Sequence, residues 1–221
     1  RVIGGSLHQG CSFVTTRLRV AVLDYGIGNL RSAQKALERV GADAVLTSSA
    51  AEVGAADAVV LPGVGAFGAC MNALRAVGLE DVAHNAVASK KPFLGICVGM
   101  QMLFDASEED PGVSGLGIIP GSVQWLPETV QRPQMQWNQL AITNNDHLFD
   151  GLGEHPWMYF VHSLHGVPTN IADTAATVEY GCTVNVAFRR DNVFATQFHP
   201  EKSAESGLKL LANFVQQVGT S

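Results

Sequence analysis

The sequence predicts an α/β fold with a mostly parallel central sheet and an antiparallel extension. Two observations predict it. Short β-branched apolar runs alternate with helical periodicity through the first half. The second half is a series of short strand-like runs separated by turn residues. No repeat, low-complexity tract or Pro/Ser-rich linker divides the 221 residues, a length that suits one α/β domain with a full core. The domain is expected over 18–221, after a polar, Gly-rich leader at 1–17 that is expected to be unstructured.

Leu18–Asp24 is an apolar run that reads as a buried strand. Tyr25-Gly26-Ile27-Gly28 reads as a turn and Asn29 as an N-cap. Leu30, Ala33, Leu37 and Val40 recur at helical spacing, and Gly41 ends that helix. Ala44–Thr47 and Asp57–Leu61 are the next strands, the latter broken by Pro62-Gly63. Helices are expected over Cys70–Val77 and Asp81–Ser89. Pro92–Ile96 is a fourth strand that runs into Cys97 and a helix over Val98–Phe104. Strands alternating with helices imply right-handed parallel crossovers. Beyond them, Gly115–Trp125, Gln139–Thr143, Met158–Val161, Ala175–Tyr180, Val184–Phe188 and Val193–Phe198 are strand-like. Leu208, Leu211, Val215 and Val218 stripe a closing helix.

Composition narrows the function classes. Apolar residues at 47% and charged residues at 15% argue against a disordered chain. A formal net charge of -6 argues against nucleic acid as the main partner, since phosphate binding needs a basic surface. No run of apolar residues is long enough to span a membrane. The four cysteines, Cys11, Cys70, Cys97 and Cys182, are scattered without a C-x-x-C pair, so neither a disulfide framework nor a cysteine zinc site is expected. A reducing cytoplasmic setting fits them. No metal site and no cofactor is expected.

Gly95-Ile96-Cys97-Val98-Gly99 has the G-x-nucleophile-x-G pattern, with Cys where hydrolases often carry Ser. A strand turning sharply into a helix presents one residue at the tip, and flanking glycines remove side chains that would collide. The helix N-terminus favours a thiolate, and the Val98 N–H can face an oxyanion. Taken alone, the pattern equally fits a buried structural cysteine at a glycine-rich turn. Cys70, among Ala and Met in a helix, reads as core; Cys182 reads as structural.

Gln197-Phe198-His199-Pro200-Glu201 ends the last strand. In extended chain, residues two apart share a side, so Glu201 can hold one nitrogen of His199 while the other faces a thiol. Pro200 between them resists helix formation. A solvated surface pair would have the same spacing. Of the seven histidines, His8 falls in the leader, His84 on a surface helix, His147 and His155 in polar loops, and His165 in a Gly/Pro-rich loop. His162, after an aromatic-rich strand, is expected to line a pocket.

Pro62-Gly63-Val64-Gly65-Ala66-Phe67, Gly95-Ile96-Cys97-Val98-Gly99-Met100-Gln101 and Gln197-Phe198-His199-Pro200-Glu201-Lys202-Ser203 stand in that order. With Asp24-Tyr25-Gly26-Ile27-Gly28-Asn29-Leu30 and Tyr159-Phe160-Val161-His162-Ser163, they resemble class I glutamine amidotransferases from about Val20 onward. Within that family they are similar to the glutaminase subunits that serve imidazole glycerol phosphate synthases. The resemblance implies a three-layer, flavodoxin-like fold. It implies that Cys97 attacks the glutamine amide, His199 moves the proton and Glu201 orients His199. The Gly63-Val64-Gly65 backbone would supply a second oxyanion contact after a local rearrangement. Gln101, Glu109, His162 and Ser163 would hold the amino acid end of the substrate. On their own residues, Gln101 also fits a helix-surface amide and Glu109 a solvated acid.

The resemblance further implies a heterodimer with a cyclase subunit built on an eight-stranded α/β barrel. Ammonia would pass to that partner, near Arg132, Gln136, Trp137, Asn138 and Lys202. Gln134 and Gln136 replace the family's His and Gly in Pro-His-Met-Gly-Trp-Asn, and Leu164 stands where an aromatic residue is usual. Rival readings are the glutaminase of another synthase, a non-catalytic regulatory subunit, and a cysteine hydrolase acting on γ-glutamyl compounds.

Overall fold

The computed structural model describes residues 17–218. Apart from Arg17, the expected leader, with His8 and Cys11, lies outside the described residues. Strands β1 (Arg19–Leu23), β2 (Asp43–Thr47), β3 (Ala58–Gly63) and β4 (Phe93–Cys97) alternate with helices α1 (Leu30–Arg39), α2 (Ala50–Ala55), α3 (Phe67–Ala76) and α4 (Leu79–Ala88). One helical turn, α5 (Val98–Gln101), follows Cys97. Next come β5 (Ala106–Ser107), β6 (Gly121–Trp125), β7 (Gln134–Gln139), β8 (Ala141–Ile142), β9 (Trp157–His162) and β10 (Leu164–Pro168). The last elements are β11 (Thr174–Glu179), β12 (Thr183–Arg190), β13 (Val193–Thr196) and the closing helix α6 (Ala204–Val218).

The main sheet has eight strands in the order β2-β1-β3-β4-β13-β12-β11-β8. Pairing is parallel from β2 to β13 and antiparallel from β13 to β8. Smaller sheets β10-β6-β5 and β7-β9 flank it. β3 and β4 are buried along their whole length, as strands covered by helices on both faces must be. Each fully buried Val, Leu or Phe there stabilises the fold by about 1.5–3 kcal/mol. Strand order reverses at β1, so α1 and α6 pack together on one face while α2, α3 and α4 pack on the other. Ligands of such sheets bind beyond the carboxyl ends of the strands near the reversal. Cys97 ends β4 at that edge.

Several expected elements shift for identifiable reasons. α2 is absent from the sequence reading because it buries only Val53 and so shows no stripe; Ser49 caps it through the Glu52 N–H. Asn29 occupies the N-cap position of α1, but its side chain bonds no helix N–H and instead accepts from the Ser32 hydroxyl at 2.8 Å. The strand expected from Gly115 begins only at Gly121, since 115–118 fold back onto the carbonyls of Met102, Leu103, Phe104 and Asp105. The strand expected at Gln139–Thr143 is split between the end of β7 and the short β8. His165, expected in a loop, lies in β10 opposite Gln124. Gly166 in β10 is required: a Cβ would sit 2.5 Å from the Phe104 ring. In α6 the buried face includes Leu210 and Phe214 besides Leu211 and Val215, while Leu208 and Val218 are only partly covered.

Candidate active site

A cavity of about 300 Å³ opens at the carboxyl ends of the central strands. Cys97 and His199 line it, with Val64, Gly65, Val98, Gln101, Glu109, His162 and Ser163. Of the sequence-predicted residues, Gly63 and Glu201 stand behind this wall.

Cys97 holds φ 56° and ψ -115°, a conformation L-residues avoid. Close packing sustains it. A Cβ on Gly99 would overlap the Leu61 carbonyl oxygen, and one on Gly95 would meet Leu103 at 2.8 Å. The strand-to-helix bend therefore presses α5 onto β3 and leaves Cys97 in the cavity lining, 5% exposed. The helix expected through Phe104 is one turn, because the chain tightens into i→i−3 bonds, Leu103 N–H to Met100 and Phe104 N–H to Gln101. The field at Cys97 thus comes from the orphan N–H groups of that turn rather than from a long dipole. The Val98 N–H is the first of them.

His199 arrives from the far end of the sequence on the chain leaving β13. Its Nδ1 meets Glu201 Oε1 at 2.8 Å, and both side chains are almost wholly buried. The link between them is not the extended segment expected. Pro200–Lys202 form a 3-10 turn, which a proline can start because its fixed φ suits the first position and its missing N–H costs nothing there. Ser203 closes the turn: its hydroxyl donates to the His199 carbonyl at 2.6 Å and accepts the Tyr159 N–H at 3.0 Å. Burial by itself would lower the His199 pKa. Contact with Cys97, then with Glu201, outweighs it and raises the pKa. A ring that keeps its proton beside the sulfur can act there as a proton donor.

The residues expected on the substrate side are sorted by their partners. Gln101 is buried, which rules out a surface amide; it donates to Gln197 Oε1 at 3.1 Å. Gln197 in turn has its Nε2 3.7 Å from the Cys97 sulfur. Gln197 received no role from the sequence, although a polar residue wholly buried in an apolar strand end must find partners. Glu109 accepts the Phe67 N–H at 2.8 Å and Asp110 the Gly68 N–H at 2.9 Å, so the pair caps α3. Glu109 is therefore structural at one oxygen while lining the cavity. Lys202, expected toward a partner, lines the cavity as well.

The sequence profile of class-I glutamine amidotransferases matches residues 21–218. The chain belongs to that family. Imidazole glycerol phosphate synthase subunit HisH of Synechococcus elongatus is 50% identical over 207 residues, 92% of this chain and 95% of that protein. The protein of the same name from Methanothermobacter thermautotrophicus is 48% identical over 197 residues, 89% of this chain and 98% of its own. Among solved structures, PurLQS from Thermotoga maritima matches with a TM-score of 0.73 at 20% identity, over 91% of this chain and 99% of that chain. A glutamine amidotransferase from Thermotoga maritima matches with a TM-score of 0.65 at 17% identity, over 93% of this chain and 99% of that chain. The last two establish likeness of fold, and the three-layer, flavodoxin-like architecture expected of the family is the one observed.

In this amidotransferase the departure at Gln134 sits against the site. Gln134 is fully buried, and its carboxamide lies 2.9 Å from His162 Nε2, while His162 Nδ1 meets the Leu164 carbonyl at 2.7 Å. A carbonyl only accepts, so Nδ1 carries the proton and Nε2 of the neutral ring is an acceptor. The Gln134 contact then needs its NH2 turned to the ring, which also gives that otherwise unpartnered nitrogen an acceptor.

Burial pushes the His162 pKa down to about 4, against the opposing pull of the Leu164 carbonyl. Burial lowers that of His165 too. An unfolded histidine takes its proton near pH 6.5, so between 6.5 and about 4 the unfolded chain binds more protons than the folded one. Stability is expected to fall as pH drops through that window, by up to about 3 kcal/mol from His162, and to be free of this penalty above it. Urea midpoints of the parent and of His162→Gln across the window check this. The variant's loss should be smaller, and equal losses would exclude His162 as a cause.

Proposed function

We propose that the chain is the glutaminase subunit of an imidazole glycerol phosphate synthase. It would release ammonia from glutamine and pass it to a cyclase subunit, with an eight-stranded α/β barrel, for histidine biosynthesis in the cytoplasm. The observation that carries the reading is the meeting of Cys97 and His199, about a hundred residues apart in the chain, at one cavity, with Glu201 bonded to His199 behind it. The names of the relatives identical at about half of their positions support the choice of synthase.

In this reading the Cys97 sulfur attacks the carboxamide carbon of glutamine. The oxyanion leans on the Val98 N–H and on the Gly63-Val64-Gly65 backbone. His199 protonates the leaving nitrogen, and ammonia departs from a thioester. Water, deprotonated by His199, then releases glutamate and restores the thiol. Glu201 keeps the ring oriented throughout. Gln101, Glu109, His162 and Ser163 hold the amino acid end.

A partner is supported by the surface beside the cavity. Register places Met135 opposite Val161 and Trp137 opposite Tyr159 on one face of the β7–β9 ribbon, with Trp157 at its end. Met135, Trp137 and Trp157 are exposed by 64%, 45% and 51%, more apolar surface than an isolated ribbon favours. Val161 and Pro133 carry that face into the cavity. Arg132 lies over the Trp125 ring, and Asn138 is tied to the Glu179 carbonyl. Among the described residues no helix is long and apolar enough to cross a membrane.

The test is a glutaminase assay of the chain alone, with the cyclase, and with the cyclase plus its ribonucleotide. Slow turnover alone and a rise of about 10²–10³-fold in the loaded complex are expected, the cost of one missing oxyanion contact. Fast turnover by the chain alone would contradict coupling to a partner, and no stimulation by this cyclase would point to another synthase.

A further inference from the structure

The second oxyanion contact rests on a short stretch of backbone, Pro62-Gly63-Val64-Gly65, with no side chain of its own to hold it. What lies beneath it is specific. The Tyr25 hydroxyl, from the loop after β1, donates to the Pro62 carbonyl at 2.6 Å. The Cys70 thiol, from α3, donates to the Val64 carbonyl at 3.3 Å. Both side chains are buried, Tyr25 at 3% and Cys70 at 0% exposed, and they lie side by side. Gly63 is wedged between them and α5: a Cβ there would lie 2.5 Å from the Gly99 nitrogen and 3.0 Å from the Tyr25 hydroxyl.

These contacts secure the peptide units on either side of the Gly63–Val64 peptide. The unit between them is different. Val64 lines the cavity beside Cys97, and its N–H finds no acceptor among the described residues. A peptide unit turns by changing ψ of one residue and φ of the next, leaving its neighbours in place. With both neighbouring carbonyls held by hydrogen bonds, the unit between them can still rotate, and that rotation aims the Val64 N–H into the cavity or away from it.

We propose that Tyr25 and Cys70 are positioning residues for the oxyanion contact: by holding the Pro62 and Val64 carbonyls they set where the Val64 N–H can point. This rests on the glutaminase reading above and deepens it. It also gives Cys70, which composition alone marks as core, a hydrogen-bonding task that valine could not perform despite its similar volume.

The experiment compares Tyr25→Phe, Cys70→Val and Cys70→Ser in the full chain reconstituted with the cyclase. Glutaminase kcat and KM are measured, together with the rate of iodoacetamide alkylation followed on the Cys97 peptide. Alkylation needs the thiolate but forms no oxyanion. Tyr25→Phe and Cys70→Val should each lower kcat by about tenfold, a misplacement smaller than loss of the donor itself. KM for glutamine and the alkylation rate should stay within about twofold, and Cys70→Ser, which keeps a donor, should recover most of the rate. Unchanged kcat in both donor-deleting variants would overturn the proposal. So would a parallel fall in kcat and alkylation, or a serine variant as slow as the valine one, since either marks a packing role. If the parent's glutaminase survives Cys97→Ala, the functional reading itself fails, and this inference with it.

Discussion

Replacing Cys97 by alanine is expected to abolish glutamine-dependent synthesis, by roughly 10⁴-fold or more, while ammonia-dependent synthesis by the complex continues. The split follows from where the sulfur sits. Among the described residues that line the cavity it is the one thiol, and it plays no part in how a partner would use free ammonia. Alanine is smaller than cysteine and can adopt the same strained backbone, so the bend survives the substitution. Glutamine hydrolysis and ammonia-driven turnover measured on the same preparation check the prediction. A variant that keeps its glutaminase activity would remove Cys97 from the mechanism. One that loses both activities would show that the side chain supports assembly instead.

Gly99→Ala is expected to destabilise the fold by about 3 kcal/mol or more and to lower the yield of folded chain. The added methyl would overlap the Leu61 carbonyl oxygen and lie 2.8 Å from the Leu61 carbonyl carbon and 3.1 Å from that of Pro62. All three are main-chain atoms of a buried central strand, so no flexible side-chain end can give way. Relief would require moving α5 off β3, and with it the Cys97 bend. Gly54→Ala is the matched control. Gly54 sits in α2 with nothing within 4 Å of an added methyl, and alanine there should be neutral or stabilising by up to about 1 kcal/mol. Urea unfolding of both variants distinguishes a steric cost from a general intolerance of glycine replacement. Equal midpoints for Gly99→Ala and the parent would mean that the bend is not as tightly packed as described.

The parallel half of the sheet was legible because buried strands and amphipathic helices each impose a period on the sequence. Leu18–Asp24, Ala44–Thr47, Asp57–Leu61 and Pro92–Ile96 all fall on observed strands. Elements without a period were not legible. The six residues of α2 bury a single side chain, and β10 carries the Gly and Pro that ordinarily mark turns. The pairing of His199 with Glu201 was expected, but through an extended chain. The observed route is a 3-10 turn locked by Ser203, because the local spacing of two residues is compatible with both geometries and only the bond from Ser203 to His199 and the anchor at Tyr159 choose between them.

By itself, the order of residues determined the alternation of strands and helices, the glycine-flanked bend at Cys97, and the presence of a thiol, an imidazole and a carboxylate suited to amide chemistry. These are local properties, written in neighbours a few positions apart. Only the tertiary structure decided that the Gln197 amide would reach the Cys97 sulfur, that Glu109 would divide itself between α3 and the cavity, and that Tyr25 and Cys70 would lie beneath the Pro62-Gly63-Val64-Gly65 backbone. Each of these contacts joins elements separated by tens of residues, and a buried polar group takes its partner from whatever the packed strands bring within hydrogen-bonding distance.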